Sequence, residues 1–245
     1  MSFEDGLQTL VSAITDRLPE GALRLSSEVR SIRRQNDNWL IATDRHESAF
    51  TDVILTLPSY ITAKTLQAYD RRLSEKLMEI EYASSAVIIL AYRKEHIGRA
   101  LDGFGFVVPH VEERDIIACS FSTVKFGGRS PEDCELLRCF AGGAINPEIL
   151  ELADEELTER VISDISQILQ ITADPLFAIV RRYPRAMPQY NVGHTKLVKE
   201  VRERASGHEG LYFAGNAYDG VGLPDCISSG QKAAEAILKA ARDSE

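Results

Sequence analysis

The sequence has four cysteines, Cys119, Cys134, Cys139 and Cys226, and no two of them form a CxxC pair. Their spacing matches no metal motif and no disulfide framework, so free, buried thiols are expected. The five histidines, His46, His96, His110, His194 and His208, are scattered and form no HExxH-like pair. No metal is expected. Basic residues are in deficit: 28 Lys and Arg stand against 37 Asp and Glu, for a net charge of −9. That balance argues against a nucleic-acid or anionic-membrane surface. No apolar run approaches the roughly 18–20 residues that cross a bilayer, and MSFEDGLQTL lacks both the basic region and the apolar core of a signal peptide. The expectation is a soluble, cytoplasmic protein with no integral membrane segment and no nucleic-acid partner. Two further absences concern chemistry. There is no Ser-His-Asp or paired-carboxylate constellation, so no catalytic residue is assigned. The GxGxxG spacing of a dinucleotide-binding turn is also missing: Gly103-Phe104-Gly105 and Gly220-Val221-Gly222 each lack the third glycine.

What is present suffices for one large core or two smaller ones, with 245 residues of which 44% are hydrophobic. Residues 3–18 read as a helix with Leu7, Leu10, Val11, Ile14 and Leu18 on one face. Strands are expected over 23–32, 39–42 and 52–58, the last closed by Pro58. Two short helices follow, near 60–68 and 73–80. Closely spaced strand candidates at 84–92, 103–109, 115–123 and 135–142 suggest a mostly antiparallel sheet. A long amphipathic helix covers 153–171, with Leu157, Val161, Ile165, Ile168 and Leu169 facing inward. A strand at 177–184 and a helix at 194–205 complete that stretch. No repeat, low-complexity tract or flexible linker interrupts the chain. The organisation is nested, with residues 1–57 and 191–245 in one domain and 58–190 inserted as a sheet-plus-helix domain.

The most informative stretch is 210–238, GLYFAGNAYDGVGLPDCISSGQKAAEAIL. Leu211–Ala214 reads as a short buried strand. The three glycines and Asn216 between positions 215 and 222 suit a turn with positive φ and close backbone approach. Pro224 and Asp225 stand where a helix begins. The helix repeats apolar residues at Ile227, Ala234, Ile237 and Leu238, with Gly230 as a close-contact point. A strand, a glycine-rich turn and a helix N-terminus aimed at one point form an anion or cofactor site; an ordinary strand-to-helix connection is the plain alternative.

The wording AGNAYDGVGLPDCISSG resembles the flavin-contacting segment of the protoporphyrinogen/coproporphyrinogen oxidase family. FEDGLQTLVSAITDRL, EVRSIRR and DVILTLP resemble that family's glycine-rich helix, adenine-side strand and returning strand. KFGGRSPED, RCFAGG and RAMPQYNVGH point to its soluble bacterial branch. The resemblance runs from Phe3 to about Leu238 but covers only the C-terminal half of a member. It implies an α/β and α+β fold, the C-terminal part of a two-domain, amine-oxidase-like, FAD-dependent oxidoreductase. A mostly antiparallel substrate-domain sheet would be inserted in an incomplete FAD-binding domain whose first Rossmann βαβ unit is absent. A truncated chain or a gene fragment beginning at an internal methionine is therefore expected. It would hold FAD weakly or not at all, with apolar surface exposed where strands of the other half would pair.

The implied reaction is oxidation of coproporphyrinogen III to coproporphyrin III by hydride transfer to FAD, with molecular oxygen as acceptor. Protoporphyrinogen IX is the alternative substrate. A flavin amine oxidase or carotenoid desaturase is a second enzyme reading, disfavoured by Asn216 and Asp225-Cys226. A binding or scaffold fragment without activity is a third. Carried over from the resemblance, Val221, Gly222 and Leu223 lie beside the flavin ring and ribityl chain, Val29 contributes a backbone contact to the adenine, and Tyr183 lines the flavin pocket. Val107, Ser120 and Phe140 flank the porphyrinogen; some relatives carry a larger apolar residue where Ser120 stands. Each has a plain packing alternative, and Asp225 reads as a cap rather than an acid. The basic residue that pairs with a substrate propionate in the family usually lies in the other half. That other half is one implied partner, and a ferrochelatase is a second.

Overall fold

The computed structural model describes residue 3 and residues 5–243. Met1, Ser2, Glu4, Ser244 and Glu245, which the expected helix and domain spans include, lie outside them. In chain order the elements begin with α1 (Gln8–Thr15), β1 (Val29–Gln35), β2 (Asn38–Thr43), β3 (Glu47–Phe50), β4 (Val53–Leu55), α2 (Ser59–Leu66) and α3 (Arg71–Met78). Next come β5 (Tyr82–Arg93), β6 (Gly105–Val107), β7 (Ile116–Phe121), α4 (Ser122–Lys125), β8 (Cys134–Gly142) and α5 (Asp154–Leu169). The chain closes with β9 (Phe177–Pro188), α6 (His194–Ala205), β10 (Leu211–Phe213) and α7 (Leu223–Asp243).

The chain divides into two compact units, one of residues 1–19 and 83–187, the other of 20–82 and 188–245. This differs from the expected boundaries in two ways. α1 belongs with the five-stranded sheet rather than with β1–β4. Residues 58–82, expected in the inserted domain, belong to the second unit. The reason is packing: Ala63 and Leu66 of α2 and Leu73 and Leu77 of α3 join one core with Val53, Leu55, Val198, Val201 and Leu211. A proline-closed strand looks like a domain edge in sequence, but the two helices after it bury their apolar stripes on β4 and α6.

The first unit holds a five-stranded sheet in the order β6-β7-β8-β5-β9. β6 with β7, β7 with β8 and β5 with β8 are antiparallel. α5 has the expected 3.6-residue apolar spacing and buries Leu157, Val161, Ile165 and Leu169. These pack on Ile88, Leu90, Tyr92, Leu137 and Cys139 from one face of the sheet. Each such side chain contributes about 1.5–3 kcal/mol by leaving water. Asp164 on α5 ties the helix to the sheet, since its Oδ2 accepts the Asp115 and Ile116 amides at 2.7 and 3.2 Å.

The second unit contains an antiparallel sheet β1-β2-β3 and a two-stranded parallel sheet β10-β4. Trp39 on β2 is fully buried, and its indole N–H donates to the Glu209 carbonyl at 3.0 Å. β1 starts at Val29 rather than near Leu23, and β3 was not expected. Only two of its four residues are apolar (Ala49 and Phe50), too few to signal a strand. α1 is half as long as the expected helix and none of its residues is buried. Val11 and Ile14 on its apolar stripe, and Leu7 just before it, are exposed.

Candidate functional site

The stretch around α7 is built by short local ties. Gly215 has φ +119°, and its amide donates to the Ser229 hydroxyl of α7 at 3.1 Å. Ser229 is buried, so it pins the turn to the helix from inside. Tyr190 stacks on His194 at 3.9 Å and donates its hydroxyl to the Asn216 carbonyl at 2.8 Å. Burial, first, pushes the Tyr190 phenol above its ordinary value, opposed by a backbone hydrogen bond. Arg202 pairs with Asp219 on the far side of the turn.

Two expectations for this stretch are corrected. Gly220 and Gly222 do not adopt positive φ; they leave room for Asp225. A Cβ on Gly220 would lie 2.5 Å from the Asp225 carboxyl carbon, and one on Gly222 would lie 2.7 Å from its Oδ2. The Asp225 carboxylate accepts the Gly222 amide at 3.2 Å, the capping role expected of it. The expected apolar face of α7 is also wrong. Ile227 and Leu238 are exposed, Ser229 and Ala233 are the buried residues, and nothing lies within 4 Å of a Cβ on Gly230. Small residues, not large ones, form the packed stripe.

This geometry decides what the turn can receive. A carboxylate already sits at the head of α7, so a second anion such as a pyrophosphate would meet like charge there. Beside that carboxylate, Val221 and Leu223 are 63% and 48% exposed. Val29 is half-exposed at the start of β1, an edge strand whose outer backbone is unpaired in its sheet. Tyr183 is exposed on β9 and belongs to the other unit.

The porphyrinogen-side residues fall into register. Val107 lies opposite Ala118, and Ala118 lies opposite Phe140. Ser120 lies between Gly105 and Arg138. Phe106, Cys119 and Cys139 point into the core under α5, so alternation sends Val107, Ser120, Arg138 and Phe140 to the opposite face. β6 approaches β7 closely at one point: a Cβ on Gly105 would lie 2.1 Å from the Cys119 carbonyl, and its φ is +140°. Only glycine fits there. Arg138, which sequence reading did not single out, stands 5.5 Å over the Phe140 ring. The signal available was its place two residues before Phe140 on the same strand. Among the described residues, no group of three or more His, Cys, Asp or Glu could hold a metal. No helix among them is long and apolar enough to cross a membrane.

A family model for flavin containing amine oxidoreductases matches residues 1–238. The chain belongs to that family. Within it, the chain is 30% identical over 235 residues to the coproporphyrinogen III oxidase of Bacillus subtilis (strain 168), covering 95% of this chain and 50% of that protein. It is 29% identical over 255 residues to the mitochondrial protoporphyrinogen oxidase of Nicotiana tabacum, covering 97% of this chain and 50% of the relative. A crystal structure from Exiguobacterium sp. 255-15, of a protein carrying the provisional name protoporphyrinogen oxidase, superposes with a TM-score of 0.84 at 30% identity. That match covers 96% of this chain and 51% of the other. A putrescine oxidase structure at 15% identity and a TM-score of 0.74 shares the fold. The resemblance to porphyrinogen oxidases and the amine-oxidase-like mixed α/β fold are both established by these matches. The chain spans about half the length of the curated relatives it matches.

Proposed function

We propose that this chain forms the substrate-side sheet and part of the flavin-side region of an FAD-dependent porphyrinogen oxidase acting on coproporphyrinogen III. The observation that supports the reading most is the register of the five-stranded sheet, which gathers Val107, Ser120 and Phe140 on the face opposite α5. The Phe140 ring offers a flat surface for a pyrrole, and Val107 an apolar wall beside it. Ser120 adds a polar group, which suits a substrate bearing four propionates better than one with two vinyls. The backbone of Val221, Gly222 and Leu223, with Val29, would hold FAD. When bound, FAD supplies the redox chemistry, taking up the hydrogens that leave the macrocycle and passing the electrons to oxygen. The chain's own residues bind the ring, orient it and exclude water, so the reaction needs no acid or base from this sheet.

The second reading, protoporphyrinogen IX, is favoured by the plant relatives, whose identity nearly equals that of the bacterial ones. An absorbance titration of the purified chain with FAD comes first, and because the chain alone is expected to be inactive, an aerobic porphyrin-fluorescence assay on both porphyrinogens follows in the FAD-loaded protein completed by its other half. We expect weak flavin binding by these 245 residues alone. In the loaded protein, coproporphyrin should form at least about tenfold faster than protoporphyrin, a difference of one decade in selectivity. The reverse order would select protoporphyrinogen IX, and no porphyrin from either substrate would sink the oxidase reading. The other half of such an enzyme and a ferrochelatase remain partners within this proposal.

A further inference from the structure

Cys119 on β7 and Cys139 on β8 stand directly opposite each other in the sheet, and the Cys139 thiol donates to the Cys119 sulfur at 3.8 Å. Both are free and buried in the core under α5, 2% and 0% exposed. The strand pairing decides how close their backbones come. Towards β6, the Phe121 amide donates to the Phe104 carbonyl at 3.0 Å and the Val108 amide to the Ile117 carbonyl at 2.9 Å. Backbone direction alternates along a strand, so Cys119 also turns its amide and carbonyl to β6, while Ala118 and Ser120 turn theirs to β8. Cys119 and Cys139 are therefore opposed without backbone hydrogen bonds between them. In that kind of pair the Cα atoms are about 4.5 Å apart, inside the roughly 4.4–6.8 Å that a disulfide spans. A bridge there needs side-chain rotation and no shift of register.

Access to the pair is restricted. Gly105, Phe106 and Phe121 line a cavity of about 160 Å³, and Phe106 stands opposite Cys119, but the sulfurs lie behind this wall. β6 is an edge strand of three residues, so its local opening is the route to Cys119, and such an element opens at less cost than a whole core. The hydrogen bond to Cys119, then burial, raises the Cys139 thiol above its ordinary value, so thiolate is scarce and oxidation is slow. We propose that Cys119 and Cys139 form a redox latch: a peroxide closes a disulfide between β7 and β8, and a thiol reductant reopens it. The first sulfur gives an electron pair to a peroxide oxygen; the O–O bond breaks, leaving a sulfenic acid and one water. The second sulfur then attacks the sulfenic sulfur, the S–O bond breaks, and a second water leaves with the thiol proton. Two thiols are oxidised and one hydrogen peroxide is reduced to two waters. Ser120 and Phe140 are the next residues along each strand, so the latch fixes to each other the two strands whose opposite face bears those side chains. The proposal goes beyond the porphyrinogen reading and does not depend on it.

The test is incubation of the purified chain with hydrogen peroxide over hours, then alkylation of the remaining thiols in denaturant and mass spectrometry of tryptic peptides. Cleavage after Arg114, Lys125, Arg129, Arg138 and Arg160 places Cys119 on 115–125, Cys134 on 130–138 and Cys139 on 139–160. The oxidised chain should yield 115–125 joined to 139–160, lighter by two hydrogens than the separate peptides, and dithiothreitol should part them. Its melting temperature should rise by about 5 °C, since the bridge closes a loop across 20 positions. Cys139→Ala should abolish both changes, and the double variant Cys134→Ala/Cys226→Ala should keep both. Full alkylation of Cys119 and Cys139 after peroxide, or their conversion to sulfinic acids without a bridge, would overturn the proposal. So would bridges made mainly with Cys134 or Cys226, or a Cys119–Cys139 bridge that leaves the melting temperature unchanged. If Cys139→Ala does not fold, Cys119→Val decides by the same comparison. Neither flavin nor porphyrin takes part, so failure here leaves the porphyrinogen reading intact.

Discussion

The two units hold themselves together by different means. The first stacks a long amphipathic helix on one face of an antiparallel sheet, and its core is mostly aliphatic, with Tyr92, Phe121, Cys119 and Cys139 among the buried residues. The second packs α2, α3 and α6 on a parallel sheet of only two strands, with the three-stranded sheet β1-β2-β3 in the same unit. Parallel strands are normally found in larger sheets with both faces covered, and a two-stranded sheet has little stability of its own. What reinforces the second unit is a buried polar tie. Asp70 caps α3 by accepting the Leu73 amide at 3.0 Å, and it receives Arg204 at 2.7 Å and His208 at 2.6 Å. One carboxylate thus joins the start of α3, the end of α6 and the turn before β10. The comparison teaches that each unit ties a helix in place with one buried carboxylate, Asp164 in the first and Asp70 in the second, and that beside the narrow sheet this tie joins more elements.

The difference can be sharpened by mutation. The largest effect is expected in the first unit: Ile165→Ala empties a fully buried position on α5 and should cost about 2–5 kcal/mol, read by urea unfolding followed by circular dichroism. A loss under 1 kcal/mol would show that the core collapses around the gap and would weaken the contrast.

The second unit should respond to acid instead. Burial alone would raise the Asp70 carboxyl, but Arg204, the Leu73 amide and His208 outweigh it and lower the pKa from 3.8 to about 2. A carboxyl held below its unfolded value stabilises the fold above pH 3.8, and that contribution is lost as pH falls towards 2. It amounts to about 2 kcal/mol. The only tryptophan, Trp39, lies in this unit, so its emission should report unfolding between about pH 4 and 2. Asp70→Asn should remove that transition at the cost of lower stability at neutral pH. An unaltered acid profile would refute this tie. The smallest effect belongs to the turn: Asp225→Ala removes the acceptor for the Gly222 amide and should cost about 1 kcal/mol. Its melting curve should shift by only a few degrees, and a larger loss would mean that the turn carries more of the second unit than α3 and α6 do.

Legibility in the sequence followed the range of the signal. α5 was readable because Leu157, Val161, Ile165 and Leu169 repeat at helical spacing within one element, and α6 was readable to its observed ends. β3 was not, because Ala49 and Phe50 alone give no period-two pattern. α7 misled because Ile227 and Leu238 look like a core stripe, whereas the packed positions are Ser229 and Ala233. Asp164 and Ser229 gave no local sign of their roles, since each bonds a backbone amide 14 or more positions away.

The sequence by itself determined the family, the element types and the set of residues that resemble a flavin and porphyrinogen site, because motif wording and short-period apolar patterns are local properties. Only the tertiary structure decided that α2 and α3 join the second unit and that Gly220 and Gly222 make room for Asp225. It also decided that Arg138 shares a sheet face with Val107, Ser120 and Phe140. Those facts depend on strand register and on which surfaces find each other, and both are settled by packing between segments far apart in the chain.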